Sequence, residues 1–347
     1  MFRHLTPTLS QGRGSQKFNT LFIVGVLFIA LFSSCESESN KPQPAAETKP
    51  QLVATPVFNE DSAFSFVKKQ VAFGPRVPNT DAHVACGNWL DSTLRMYADK
   101  MYLQTGQVKA YNGAMLNFKN IIAAFNPEVK NRVFLCAHWD TRPFADQDPD
   151  PTKRDKPNDG ADDGASGVAV LLEVAKALRQ QPVKIGVDII FFDVEDYGNA
   201  QGGEDTYCLG SQYWAKNLHV SGYNAKYGIL LDMVGAHKSI FPMEAYSIHN
   251  APSVVRSVWN NGAQLGYSNR FLFKPSLRPI VDDHFYINQI TGIPTIDIIY
   301  LDNNLPNLFG AHWHTHQDNL SIIDKSALKA VGQTLLQTVY QEDKGSQ

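Results

Sequence analysis

The sequence predicts an α/β protein: a single-domain α/β/α sandwich built on a mostly parallel, mixed central sheet. Three observations predict it. Short runs rich in β-branched and aromatic residues alternate with longer stretches of helical periodicity. Those runs are nearly continuous in Ile, Leu, Val and Phe, as strands buried on both faces require. No internal repeat and no second linker interrupts the chain after residue 55, so one core serves the rest.

Core strands are expected at 120–125, 132–137, 187–192, 228–233 and 295–300. Helices are expected at 80–98, 167–179, 206–217, 253–265 and 326–340. In the last of these, Leu328, Val331, Leu335, Val339 and Tyr340 recur at helical spacing and mark one buried face.

The N-terminus reads as an export signal. Arg3, Arg13 and Lys17 precede an uninterrupted apolar run over 21–32. As a helix that run spans about 18 Å, short of the roughly 30 Å of a bilayer core, so it is a signal-peptide segment rather than a span. Leu31-Phe32-Ser33-Ser34-Cys35 resembles a bacterial lipobox, which implies a lipid on Cys35 after cleavage. The other reading is an ordinary signal peptide whose cut happens to fall before a cysteine. A polar tether over 36–50 begins at once and favours the lipid. The expected organisation is a lipoprotein signal peptide at 1–34, a lipidated Cys35 with a flexible linker to 55, and a catalytic domain at 56–347. The protein is then an exported bacterial lipoprotein, periplasmic or membrane-anchored, touching the membrane through that lipid only.

A net charge of −3 and the absence of a long basic stripe give no reason to expect nucleic acid as a partner. Cys86, Cys136 and Cys208 form no CxxC pair, so a thiolate zinc site is unsupported, and buried thiols are expected.

Polar residues concentrate where the expected strands end. Cys136-Ala137-His138-Trp139-Asp140 closes one, Asp193-Val194-Glu195-Asp196 a second and Leu231-Asp232-Met233 a third, while Asp297 sits late in a fourth. Ligands of open α/β sheets bind outside the carboxyl ends of the strands, so acids and imidazole converge on one edge. Divalent zinc takes these donor types. The candidates are His138, Asp163, Asp196, Asp232 and His314. Asp163 lies in Gly160-Ala161-Asp162-Asp163-Gly164-Ala165-Ser166-Gly167, a turn opening a helix, where it suits a metal ligand or a helix cap equally; Asp162 is the better cap.

The order H-x-D, GADDGASG, an acidic pair after FFD, LLD and H-T-x-Q-D resembles the zinc aminopeptidase family with co-catalytic metals, across most of residues 60–340. The resemblance implies a zinc-exopeptidase-like fold in which those five candidates hold two metals, with Asp163 bridging and Glu195 as general acid/base. The family's usual Glu-Glu pair is Glu195-Asp196 here. Within that superfamily the chain is more similar to the glutaminyl-peptide cyclotransferases, which share the fold and use a single zinc. Trp313 beside His314, the insertion over 197–208, Val281-Asp282-Asp283-His284 and Thr141-Arg142-Pro143-Phe144-Ala145-Asp146 carry that similarity. It implies cyclisation of N-terminal glutamine peptides or proteins to pyroglutamate with loss of ammonia. One Zn2+ per chain would be held by Asp163, Asp196 and His314, with Glu195 shuttling protons and Asp232 and Asp282 orienting the substrate. His138 becomes a supporting histidine oriented by Asp140, and Trp313 walls the pocket. There are departures. Asp297 stands where animal cyclases carry histidine, and their second pocket tryptophan has no counterpart near Gln201. Trp139 and Phe144 are the candidates to replace it. The alternatives are a two-zinc aminopeptidase, which all five ligand types permit, and a non-catalytic peptide-binding relative, against which Glu195 argues.

Overall fold

The computed structural model describes residues 52–345; the expected signal segment and Cys35 lie outside them. In chain order the helices are α1 (Glu60–Val71), α2 (Asp81–Arg95), α3 (Ala165–Gln180), α4 (Leu209–Lys216), α5 (Ala245–Asn250), α6 (Pro252–Gln264), α7 (Asp283–Thr291) and α8 (Lys325–Gly345). The strands are β1 (Lys100–Lys109), β2 (Met115–Phe125), β3 (Arg132–His138), β4 (Gly186–Phe192), β5 (Gly228–Asp232), β6 (Phe241–Met243), β7 (Phe271–Pro275) and β8 (Thr295–Ile299).

Six strands form the main sheet in the order β1-β2-β4-β3-β5-β8. The β4-β3-β5-β8 part is parallel, and β2 and β1 add antiparallel at one edge. The sheet is therefore mixed and mostly parallel, as expected. All five anticipated core strands are present. β1 and the short β6–β7 pair are additions.

Why the sheet needs helices on both faces follows from side-chain alternation. Ile121, Val133, Leu135, Ile189, Phe191 and Leu231 point into one core, shared with α1, α3 and α8. Their neighbours Ile122, Phe134, Cys136, Ile190, Phe192 and Leu230 point into the other, against Trp214 of α4 and Ile287 of α7. Helix α3 is buried along almost its whole length, which its AVLLEVAKAL stretch makes favourable.

The chain runs from β3 through α3 to β4, then crosses back over β3 to β5. The reversal leaves a crevice at the carboxyl end of β3, between the ends of β4 and β5. Gly167, in the first turn of α3, lets that helix press against β5: a Cβ there would lie 2.6 Å from the Leu231 carbonyl oxygen. No helix among the described residues is long and apolar enough to cross a membrane.

Candidate metal centre and reaction pocket

Each candidate side chain is delivered by a turn at this crevice. His138 ends β3, Asp232 ends β5, and Glu195 and Asp196 follow β4. Asp163 lies in the turn before α3, where Gly164 takes φ +93°, a conformation glycine adopts without cost. Three of these turns hold non-glycine residues in the left-handed region: Val194 at 54°, Met233 at 48° and His314 itself at 54°. For β-branched Val194 this is a strained backbone, held in place by its surroundings next to Glu195. Nothing in the sequence signals it.

Two overlapping donor sets result. Asp163, Asp196 and His314 converge, with His314 Nε2 3.4 Å from Asp196 Oδ1 and 3.8 Å from Asp163 Oδ2. His138 and Asp232 meet the other side of Asp163, with His138 Nε2 3.0 Å from Asp163 Oδ1 and 3.4 Å from Asp232 Oδ1. Separations of 3.4–3.8 Å exceed a well-formed hydrogen bond. They approach the edge of about 3.3 Å of a tetrahedron with bonds of about 2.0 Å, the zinc geometry. Electrostatics agree. Burial opposes charge on both imidazoles, yet the crowding carboxylates outweigh it and raise both above the usual histidine range. Burial pushes Asp232 up to about 7 against the pull of His138, with Asp163 adding to the push. An excess of buried carboxylate around nitrogen and oxygen donors fits a divalent cation, and zinc in particular.

The supporting contacts differ from expectation in three ways. Asp140 does not orient His138 closely: it stands 3.6 Å from Nδ1, and its oxygens accept from the backbone N–H groups of Glu195 (3.0 Å) and Asp196 (3.2 Å). It thus holds the acidic pair rather than the imidazole. Asp162 caps no helix; it accepts from Gly235 N and meets His312 Nε2 at 2.9 Å, which removes His312 from solvent. Asp297 lies mid-strand in β8 and belongs to neither donor set; it gathers instead with His284 and Asp282.

Residues that sequence reasoning gave no role fill the gaps. Arg142 donates to both oxygens of Asp146 at 2.9 Å and from Nη1 to Asp196 Oδ1 at 3.1 Å, while Asp146 Oδ1 lies 3.3 Å from His314 Nδ1. The pair therefore sets the orientation of two donors at once. Arg142→Lys, which keeps the charge but loses the fork, is expected to weaken zinc binding by about 10- to 100-fold, read by competition with a chelating dye. Asp318 accepts from Asp162 N (2.7 Å) and Asp163 N (3.2 Å) and fixes the turn carrying Asp163. Cys86, Cys136 and Cys208 are free and buried. Cys208 is more than filler, since its Sγ donates to Glu195 Oε1 at 3.2 Å.

A cavity of about 460 Å³ opens onto the donors, lined by Asp163, Glu195, Asp196, Asp232, Asp282 and His314. Its apolar lining is Met233, Ile280, Ile299, Phe309 and Trp313, and Tyr207 lines it too. Trp313 stacks on His314 at 3.8 Å and on Phe309 at 4.3 Å. Trp139 and Phe144 do not line it. Trp139 is one position after His138, so alternation turns it to the α2 side, where it stacks on His83 and donates to the Lys119 carbonyl. Phe144 packs on Tyr197 and the Arg142 guanidinium. Tyr207 and Phe309 take the places expected of them, Tyr207 being supplied by the 197–208 insertion. Glu195 faces this cavity, and burial pushes its carboxyl well above the usual range despite His138, with Asp196 and Asp282 adding to the push. Asp282 Oδ2 is buried without a protein partner.

A mixed sheet with an acid-and-histidine cation site at the crevice defines a zinc-dependent, exopeptidase-like α/β protein. The chain belongs to peptidase family M28, which residues 120–339 match. It is similar to Bacteroides thetaiotaomicron glutaminyl cyclase bound to N-acetylhistamine, at 49% identity and a TM-score of 0.81, over 83% of this chain and 99% of that one. A leucine aminopeptidase precursor from Bacteroides thetaiotaomicron matches at 49% identity with a TM-score of 0.79, again over 83% and 99%. Glutaminyl-peptide cyclotransferase of Gloydius blomhoffii is 28% identical over 249 residues, 63% of this chain; the chain spans 64% of that relative's length.

Proposed function

We propose that this chain is a glutaminyl-peptide cyclotransferase, converting the N-terminal glutamine of peptides or proteins to pyroglutamate with release of ammonia. The observation that carries the reading is the pocket itself. The Glu195 carboxyl and an unpartnered Asp282 oxygen face one cavity beside the Asp163–Asp196–His314 set, walled by Trp313. The likeness to a glutaminyl cyclase, over 83% of this chain and 99% of that one, supports it.

In this reading Asp163, Asp196 and His314 would hold one zinc, which would supply Lewis acidity toward the γ-amide oxygen. Asp232 and Asp282 accept hydrogen bonds from the substrate's α-amine and amide nitrogen and align the amine with the γ-carbon. Glu195 takes the proton the amine loses as the ring C–N bond forms, and returns it to the amide nitrogen leaving as ammonia. Trp313, Phe309 and Ile299 exclude water, which would hydrolyse the amide without closing the ring. His138 supports Asp163 and Asp232.

The second reading is a two-zinc aminopeptidase, favoured by the complete His138–Asp163–Asp232 set. Purified protein incubated with a Gln-initiated and a Leu-initiated peptide separates them by mass spectrometry. Loss of ammonia from the first, with about one zinc per chain, is the expected result. Free leucine from the second, with two zincs, replaces the proposal with the peptidase. We further propose export as a lipoprotein anchored through Cys35, a reading supported by the sequence 31–35; metabolic labelling with a fatty acid should mark the wild type and not Cys35→Ala.

A further inference from the structure

Away from the cation donors, one buried carboxylate gathers an unusual set of hydrogen bonds. Glu244, fully buried, accepts at Oε1 from Tyr246 N (2.9 Å) and Ile280 N (3.0 Å). At Oε2 it accepts from Ser247 N (2.7 Å) and Ser247 Oγ (2.8 Å), and His284 Nε2 lies 3.1 Å away. The first contacts cap the short α5. Those to Ile280 and His284 do something else: they bracket Asp282, two residues before it and two after.

Asp282 spends Oδ1 on capping α7 and leaves Oδ2 buried with no protein partner. Residues 278–282 form one wall of the reaction pocket. Apart from α7, whose first turn carries His284, this wall has no regular secondary structure between β7 and Asp283 to hold it. Ser276 Oγ donates to the Arg278 carbonyl and Arg278 Nη2 to the Asn307 carbonyl, which ties down the start of the wall. Glu244 supplies the hold at Ile280 and His284, and hydrogen bonds to a charged acceptor are the stronger kind. Although burial works the other way, the contact with His284 and the donated N–H groups bring its carboxyl down to about 2. Ser247 Oγ also accepts from Asp297 N at 2.9 Å, tying the same hub to β8.

We infer that Glu244 is a positioning residue for the reaction: it fixes the 280–284 segment so that the free oxygen of Asp282 faces the bound N-terminal glutamine. This rests on the cyclotransferase reading for the identity of the substrate. Glutamine at 244 turns an NH2 group toward converging donors, so Glu244→Gln breaks the bracket while nearly preserving volume.

The test is a double-mutant cycle in the zinc-loaded full chain, with kcat/KM for a Gln-initiated peptide. Glu244→Gln should lose about 10- to 100-fold, the range of contacts that orient a site residue. Combined with Asp282→Asn, it should cost no more than a further twofold beyond Asp282→Asn alone. Losses that multiply show a general structural role and overturn the inference. Amide hydrogen exchange gives an arm independent of turnover. Exchange across 278–284 should speed at least tenfold in Glu244→Gln, with β3 unchanged; unaltered exchange there also overturns it. A wild type that fails to cyclise the peptide removes the functional reading, while the exchange arm still decides whether Glu244 holds Asp282. If Glu244→Gln does not fold, His284→Asn cuts one tether and enters the same cycle with the same two outcomes.

Discussion

Glu195→Gln is expected to slow cyclisation of a Gln-initiated peptide by about 10²- to 10⁴-fold, the usual worth of a positioned proton carrier, while bound zinc and Tm stay near wild type. The amide keeps the size of the side chain and its contact with Cys208 Sγ, 3.2 Å away in the parent. It cannot take a proton from the attacking amine. Glu195 lies 3.9 Å from His138 Nδ1 and belongs to neither donor set around Asp163, so its loss should leave the cation site whole. Kinetics and zinc content measured on the same preparation decide the point. Zinc lost together with activity would make Glu195 a ligand and move the proton transfer to another carboxylate of the pocket, with Asp282 next in line. Activity retained would remove proton shuttling from the mechanism.

What the sequence reveals and what it hides divides along physical lines. The core strands β2, β3, β4, β5 and β8 are legible because burial on both faces leaves apolar runs that no amphipathic helix of that length has. Strand β1, KMYLQTGQVK, escapes because it is the sheet edge, mostly exposed or half-buried, with polar residues on the open side. Helix α7 begins in the Asp282-Asp283-His284 motif, whose charge hides a buried first turn. In the site, donor types and their order are legible because a metal limits the choice of side chains. Partners are not, because Asp146 meets His314 and Glu244 meets His284 only through the folded chain. Trp139 is a different case. Its parity relative to His138 was already written in the sequence, since successive strand residues face opposite sides, and that alone removes it from the pocket. The strained φ of Val194, Met233 and His314 has no local signature, because these backbones are set by the tertiary structure around them.

Asp163→Asn should abolish both zinc binding and activity, and its cost in stability should appear only when the metal is present. Asp163 belongs to both donor sets, so no arrangement of one or two zincs survives its loss. A ligand that binds only the folded state stabilises it by RT ln(1 + [L]/Kd), about 4 kcal/mol at a thousandfold excess over Kd. The variant forgoes that term, and zinc should raise the wild-type Tm by several degrees while leaving the variant's unmoved. In the metal-free protein the difference should close. Asp163 then sits buried beside Asp196 and Asp232, and its charge helps push Asp232 up to about 7. Neutral asparagine relieves that repulsion but gives up the charged contact with His138 Nε2 at 3.0 Å, and it retains the backbone N–H bonded to Asp318. Chelator-treated Asp163→Asn should therefore melt close to chelator-treated wild type, although it melts well below the wild type when zinc is present. A Tm difference confined to the zinc-loaded protein carries the argument, because a residue that only packs the fold would lower Tm in both conditions. A variant less stable than wild type in chelator would mean that Asp163 is held mainly by neighbouring N–H groups, and that the carboxylates were not gathered for a cation.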